Sequence, residues 1–138
     1  VCLATGARWG EAQALTPERV KNGAVTFANT KSRRTRTIPI SEALEKQLQT
    51  YFKQNGLFSN CMVTFSRVLE TTSIKLPEGQ ATHVLRHTFA SHFVMRGGNI
   101  LTLQKILGHS SLTMTMRYAH LSPDHLQDAL SLNPLADK

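Results

Sequence analysis

LGHSSLTMTMRYAHL, residues 107–121, sets the reading of the chain. Ile100 to Leu107 has helical composition, and Gly108 ends it as a helix-stopping glycine does. His109 therefore falls at a break, where a side chain can be aimed. Residues 111–120 read as a further helix carrying Tyr118, one of only two tyrosines. A lone tyrosine on a helix is more often packing than chemistry, and the flanking Met114 and Met116 suit a packed face. The other blocks of the sequence decide between the two.

Working outward, VCLATGARWGEAQAL (residues 1–15) reads as helix, break at Gly6, helix. Asn22-Gly23 is a strong hairpin signal, with Val25 and Phe27 alternating behind it. TIPI, with Pro39 near its end, suits an edge strand. Together these predict a two- or three-stranded antiparallel sheet over about residues 19–40. Ser41 is a good N-cap for a helix carrying Leu44, Leu48, Tyr51 and Phe52, which Asn55-Gly56 stops. A helix within residues 60–73 places Phe65, Val68 and Leu69 on one side. KLPEGQA is a loop. Thr82 is expected to cap a helix over about residues 83–95, ended by Gly97-Gly98. Pro123 is expected to open a last helix, to about Leu130. The fold class is α+β, mainly helical, with a small antiparallel sheet near the N-terminal end.

The length of 138 residues suits one domain with a real core. No apolar run approaches the roughly 20 residues of a membrane span, and no signal-peptide pattern opens the chain. Cys2 and Cys61 make no disulfide framework, and no Cys/His spacing of the zinc-finger kind occurs. Sixteen Lys and Arg against nine Asp and Glu give a formal charge of +7, which favours an anionic partner, nucleic acid first.

The densest charge is TKSRRTR, with Lys31, Arg33, Arg34 and Arg36 between two expected strands. A basic hairpin tip can track a phosphate backbone, and the interleaved Thr and Ser add phosphate donors. In THVLRHTFASH, His83 and His87 share a helical face, with Arg86 one turn from His83. A zinc site needs more ligands than these, and the HExxH pattern is absent because residues 84 and 85 are Val and Leu. A structural reading has the histidines packing a buried helix. An oxyanion site remains, for which the planar fork of arginine suits phosphate oxygens.

Four blocks taken together resemble the tyrosine recombinases, and most closely the integrases of temperate bacteriophages. They are TGARWGEAQAL (residues 5–15), TKSRRTRTIPI (30–40), HVLRHTFASH (83–92) and LGHSSLTMTMRYAHL (107–121), in that family's order and approximate spacing. By motif, the resemblance implies catalytic roles for Arg8, Lys31, His83, Arg86, His109 and Tyr118. Glu11 and His87 would support them, and Arg33, Arg34 and Arg36 would bind flanking phosphates. Tyr118 would attack a DNA phosphate to form a 3′-phosphotyrosyl link, without metal, ATP or other cofactor. Lys31 would protonate the leaving 5′-oxygen.

The helices that usually open this family's catalytic domain are absent, and so is its DNA-clamping domain. Residues 1–138 are therefore expected to be the C-terminal catalytic part of a longer protein, with residues 132–138 as a tail exchanged between protomers. The implied partners are double-stranded attachment sites, other protomers in a tetramer on DNA and accessory DNA-bending proteins, with no membrane. The implied location is the bacterial host cytoplasm. Two rivals remain: a non-catalytic helix-turn-helix reader built on residues 99–118, and a type IB topoisomerase.

Overall fold

The computed structural model describes residues 1–28, 35–76, 79–124 and 126–136. Two short helices, α1 (Cys2–Thr5) and α2 (Trp9–Gln13), are separated by Gly6, which adopts φ 67°. A 3-10 turn over Pro17–Arg19 leads into a three-stranded antiparallel sheet in sequence order: β1 (Val20–Lys21), β2 (Ala24–Ala28) and β3 (Thr35–Pro39). Asn22 and Gly23 both take positive φ, as the tight turn between β1 and β2 requires. Val25 pairs with Val20 and with Ile38, and these three with Phe27 are buried. Pro39 lies on an edge strand, where its missing N–H breaks no ladder.

The rest is helical. Ser41 caps α3 (Glu42–Asn55), its hydroxyl accepting from the Leu44 N–H at 3.2 Å. α4 (Met62–Glu70), α5 (His83–Met95), α6 (Ile100–Leu107) and α7 (Leu112–Met116) follow, then a 3-10 turn over Ala119–Leu121 and α8 (Asp128–Ser131). No helix among the described residues is long and apolar enough to cross a membrane.

Buried side chains form two clusters. One joins the sheet to α3 through Val20, Val25, Phe27, Ile38, Leu48 and Phe52. The other lies under α5 and α6 and contains Ala90, Val94, Leu103, Leu107 and Tyr118. α1 packs along α5, so Gly6 sits where the two halves meet.

Four sequence expectations need correction. Thr82 precedes α5 but has helical backbone angles, so its hydroxyl makes no cap. The helix expected over residues 111–120 is two pieces, and Tyr118 stands between them at the start of the 3-10 turn. Thr115, Tyr118 and Leu121 turn inward at a spacing of three, which a 3-10 turn matches better than an α-helix. Val68 is exposed rather than packed beside Phe65 and Leu69. Pro123 opens no helix. The last helix is a single turn from Asp128, because Leu126 and Leu130 are 78% and 72% exposed and supply no packing to propagate it.

Gly6 carries the tightest backbone demand near the site. A Cβ there would lie 2.6 Å from Phe89 Cδ1 and 2.9 Å from Leu107 Cδ2, at a positive φ. Gly6→Ala should therefore destabilise the domain by about 2–4 kcal/mol through left-handed strain and overpacking. An unchanged urea midpoint would show that the α1–α5 junction yields more easily than its packing implies.

Candidate active site

α6 ends in a Schellman motif, with the His109 N–H on the Gln104 carbonyl and the Gly108 N–H on the Lys105 carbonyl, each at 3.1 Å. That leaves the last two carbonyls of the helix. Arg36 Nε donates to Ile106 O at 2.8 Å, and Arg86 donates from one Nη to Leu107 O at 2.7 Å. All four orphan carbonyls are thus satisfied, two of them by arginines distant in sequence. The other Nη of Arg86 donates to Gly6 O, also at 2.7 Å, at the end of α1. One buried guanidinium therefore closes two helix C-termini, where partial negative charge favours a cation.

The same junction opens a hollow of about 630 Å³. Arg8, His83, Arg86, His87, His109, Arg117 and Tyr118 all line it, with Gln80, Thr113 and Met114. The described lining has three arginines, three histidines and no carboxylate. Arg8 enters from the residue before α2 and its side chain is 41% exposed, free to meet a ligand. His83 is the exposed first residue of α5, and Arg86 and His87 lie one turn further on. His109 follows the Gly108 break, its Nδ1 2.9 Å from Thr115 Oγ1. Tyr118 is buried at the back, its hydroxyl hydrogen-bonded to His87 Nδ1.

Burial shapes the ionisation of these groups. It brings Arg86 down to about 10, helped by the charges of Arg8 and Arg36, so the guanidinium is still protonated at neutral pH. Burial, with Arg86, Arg8, Arg117 and Arg36, takes His109 to about 4, leaving a neutral imidazole. Desolvation and the neighbouring Arg117, His83 and Arg86 lower His87 as well. Burial raises the Tyr118 phenol, and Arg117 and Arg86 oppose that only partly.

Glu11 lies behind the arginines. Its carboxylate takes a bidentate pair of bonds from Arg36, both 2.7 Å, and one from the Arg8 backbone N–H at 2.8 Å. The Arg8 guanidinium is a looser partner at 3.4 Å. The resemblance implied a supporting role for Glu11, and its strongest side-chain partner is Arg36. Arg36 was expected on flanking phosphates, and the structure turns it inward. β3 registers Arg36 opposite Phe27, and the guanidinium lies over that ring, bonded to Glu11 and Ile106. Lys31, Arg33 and Arg34 lie outside the described residues.

Three contributors were not singled out from the sequence. Thr115 is fully buried and holds His109. Arg117 and Gln80 line the hollow. Arg117 directly precedes Tyr118, and a cation adjoining a phenol was a readable signal. Gln80 and Thr115 had none, since their place depends on where the loop before α5 and the break after α6 come to rest.

Fold and hollow together make a cation-lined pocket that a buried phenol also lines, with a chemistry suited to an anion. The chain belongs to the phage integrase family, whose model matches residues 1–125. It is 57% identical over 135 residues to the integrase of Escherichia phage 186, covering 98% of this chain and 40% of that protein. It is 53% identical over 137 residues to the integrase of Haemophilus phage HP1, covering 99% and 40%. The solved catalytic domain of bacteriophage HP1 integrase superposes with a TM-score of 0.83 at 50% identity, over 99% of this chain and 80% of that one. The chain thus spans about 40% of the length of the two full-length relatives.

The Glu11–Arg36 pair should be visible in acid. Burial alone would raise the Glu11 carboxyl, but the Arg36 hydrogen bonds, the Arg8 N–H and the charges of both arginines overcome it and hold it at about 2, against an ordinary 4.5. A depressed carboxylate contributes stability that is complete above 4.5 and lost as pH falls towards 2, on the order of 3 kcal/mol. Glu11→Gln should cost about 3 kcal/mol at neutral pH, since it leaves Arg36 without its carboxylate. The gap between variant and parent should close across that acid window. Parallel pH–stability curves from denaturant titration would remove Glu11 from this role.

Proposed function

We propose that the chain is the catalytic part of a site-specific DNA recombinase, which cleaves and rejoins strands through a 3′-phosphotyrosyl link to Tyr118. The observation that carries this reading is the single hollow that Arg8, Arg86, His83, His87 and His109 share with Tyr118. A phenol with a pKa near 10 is mostly protonated at neutral pH and attacks only with help. As its oxygen bonds to phosphorus, negative charge grows on the non-bridging oxygens. Arg8 meets that charge from the exposed side of the hollow, and Arg86 from the buried side with the donors its two carbonyl bonds leave over. His83 and His109 add hydrogen bonds to the phosphate.

Lys31, on the β2–β3 connection, is the proposed general acid for the leaving 5′-oxygen, with Arg33 and Arg34 on flanking phosphates. The phosphotyrosyl link conserves the bond energy for resealing. A non-catalytic helix-turn-helix reader is not favoured, because groove reading needs neither the buried phenol nor the converging arginines. Exchange between two duplexes calls for several protomers on double-stranded attachment sites, with DNA-bending accessory proteins, in the cytoplasm of a bacterial host. The tail supports assembly: Leu132 and Leu135 are 79% and 65% exposed, with no cover among the described residues.

A pool of nicked duplexes with randomised sequence around the nick tests the chemistry without a known target. Cleavage beside the nick releases a short fragment and traps the covalent adduct, which is recovered from denaturing gels. The unaltered chain should give an adduct and Tyr118→Phe none. Arg8→Ala should form it about a hundred- to a thousandfold more slowly while still binding DNA. An adduct that survives Tyr118→Phe overturns the reading.

In the full-length protein, removing residues 132–138 should abolish cooperative binding to paired sites in gel-shift titrations. Unchanged cooperativity would confine the tail to its own chain.

A further inference from the structure

Three imidazoles line the hollow, and one of them touches the phenol. We propose that His87 accepts the Tyr118 proton during attack and returns it during resealing, an inference that rests on Tyr118 being the nucleophile. His87 Nδ1 is hydrogen-bonded to the Tyr118 hydroxyl, with ring centroids 5.9 Å apart. The alternatives are placed otherwise. His109 Nδ1 faces Thr115. His83 is exposed at the start of α5 and its ring is 6.5 Å from that of His87, with no hydrogen bond to the phenol among the described residues. Helical spacing puts His83 and His87 on one face, but the burial of Tyr118 brings the phenol to the second of them.

The step balances simply. The Tyr118 O–H proton moves to His87 Nδ1 as the phenol oxygen bonds to phosphorus. The P–O5′ bond breaks with its electron pair on O5′, which takes a proton from the general acid, assigned above to Lys31. Resealing reverses each event: the 5′-hydroxyl attacks, the phosphotyrosyl bond breaks, and the His87 imidazolium returns its proton to the phenol oxygen. Nδ1 must be unprotonated beforehand, with the ring proton on Nε2.

The surroundings keep His87 in that form. Burial, Arg117 beside Tyr118, and His83 and Arg86 on α5 all disfavour its charged state, and Arg8 and His109 complete the ionisable rim of the hollow. The same cations oppose imidazolium formation until the phosphate arrives. Its negative charge then offsets theirs, so proton transfer is coupled to substrate binding.

The test uses a nicked duplex selected by the adduct screen, with single-turnover cleavage followed across pH. The unaltered chain should cleave at a constant rate around neutrality and slow only below the ordinary histidine value of 6.5. His87→Ala and His87→Gln should bind DNA normally, cleave about 100- to 10,000-fold more slowly, and lose that acid limb. Fluorotyrosine at position 118, a more acidic phenol, should restore His87→Ala far more than it accelerates the parent. Cleavage by His87→Ala within threefold of the parent overturns the assignment. So does a large loss that keeps the acid limb and gains nothing from fluorotyrosine, since that is the signature of packing alone. If the parent forms no adduct, or Tyr118→Phe still does, the nucleophile reading itself fails and the proton acceptor falls with it.

Discussion

The structure depends on the way the C-terminus of α6 is closed. A helix end leaves four carbonyls without partners, and here the turn at Gly108 satisfies two and arginines satisfy the other two. Arg36 reaches in from the sheet and Arg86 from α5. Arg86 also binds the end of α1. Sheet, first helix and central helix are thereby fixed to one point, and the residue just past it, His109, is aimed by that closure. Losing either arginine would leave a helix-end carbonyl without its partner as well as removing a charge.

This arrangement explains how so much positive charge collects in one place. Arg8, Arg36, Arg86 and Arg117 would repel one another on a bare surface. Glu11 neutralises part of that charge from behind, and the helix ends stabilise Arg86 without offering it a carboxylate. The open side carries no acid among its described residues. The field in the hollow is thus left for an incoming anion to neutralise, with donors already oriented before it arrives. Under the proposed function Arg86 joins structure and chemistry in one side chain, so its replacement would disturb both, whereas the half-exposed Arg8 contributes chiefly to the hollow.

Much of the architecture is written in local chemistry. Asn22-Gly23, Ser41, Asn55-Gly56 and Gly108 each mark a boundary, because turn and cap geometry depend on a few adjacent residues. The alternation of Val25 and Phe27 gives the inner face of the sheet. The order and spacing of the arginine, histidine and tyrosine blocks bring the family resemblance into view, and with it most, but not all, of the ionisable residues of the hollow. The division of residues 111–121 into two short turns is not legible there, because it follows from how deeply Thr115 and Tyr118 are buried.

The order and spacing of the sequence blocks determine the family resemblance, and it is that resemblance which implies that arginines, histidines and a tyrosine belong together here. Only the tertiary structure decides which pairs touch. Arg36 looks like its basic neighbours in the sequence, yet the register of β3 against β2 turns it onto Glu11 and Ile106. His83 and His87 look equivalent on one helical face, yet the fold brings Tyr118 to the second. Helix and strand periodicities are set by neighbours a few residues away, whereas a contact across 31 or 70 residues depends on how whole elements pack. No local pattern encodes that.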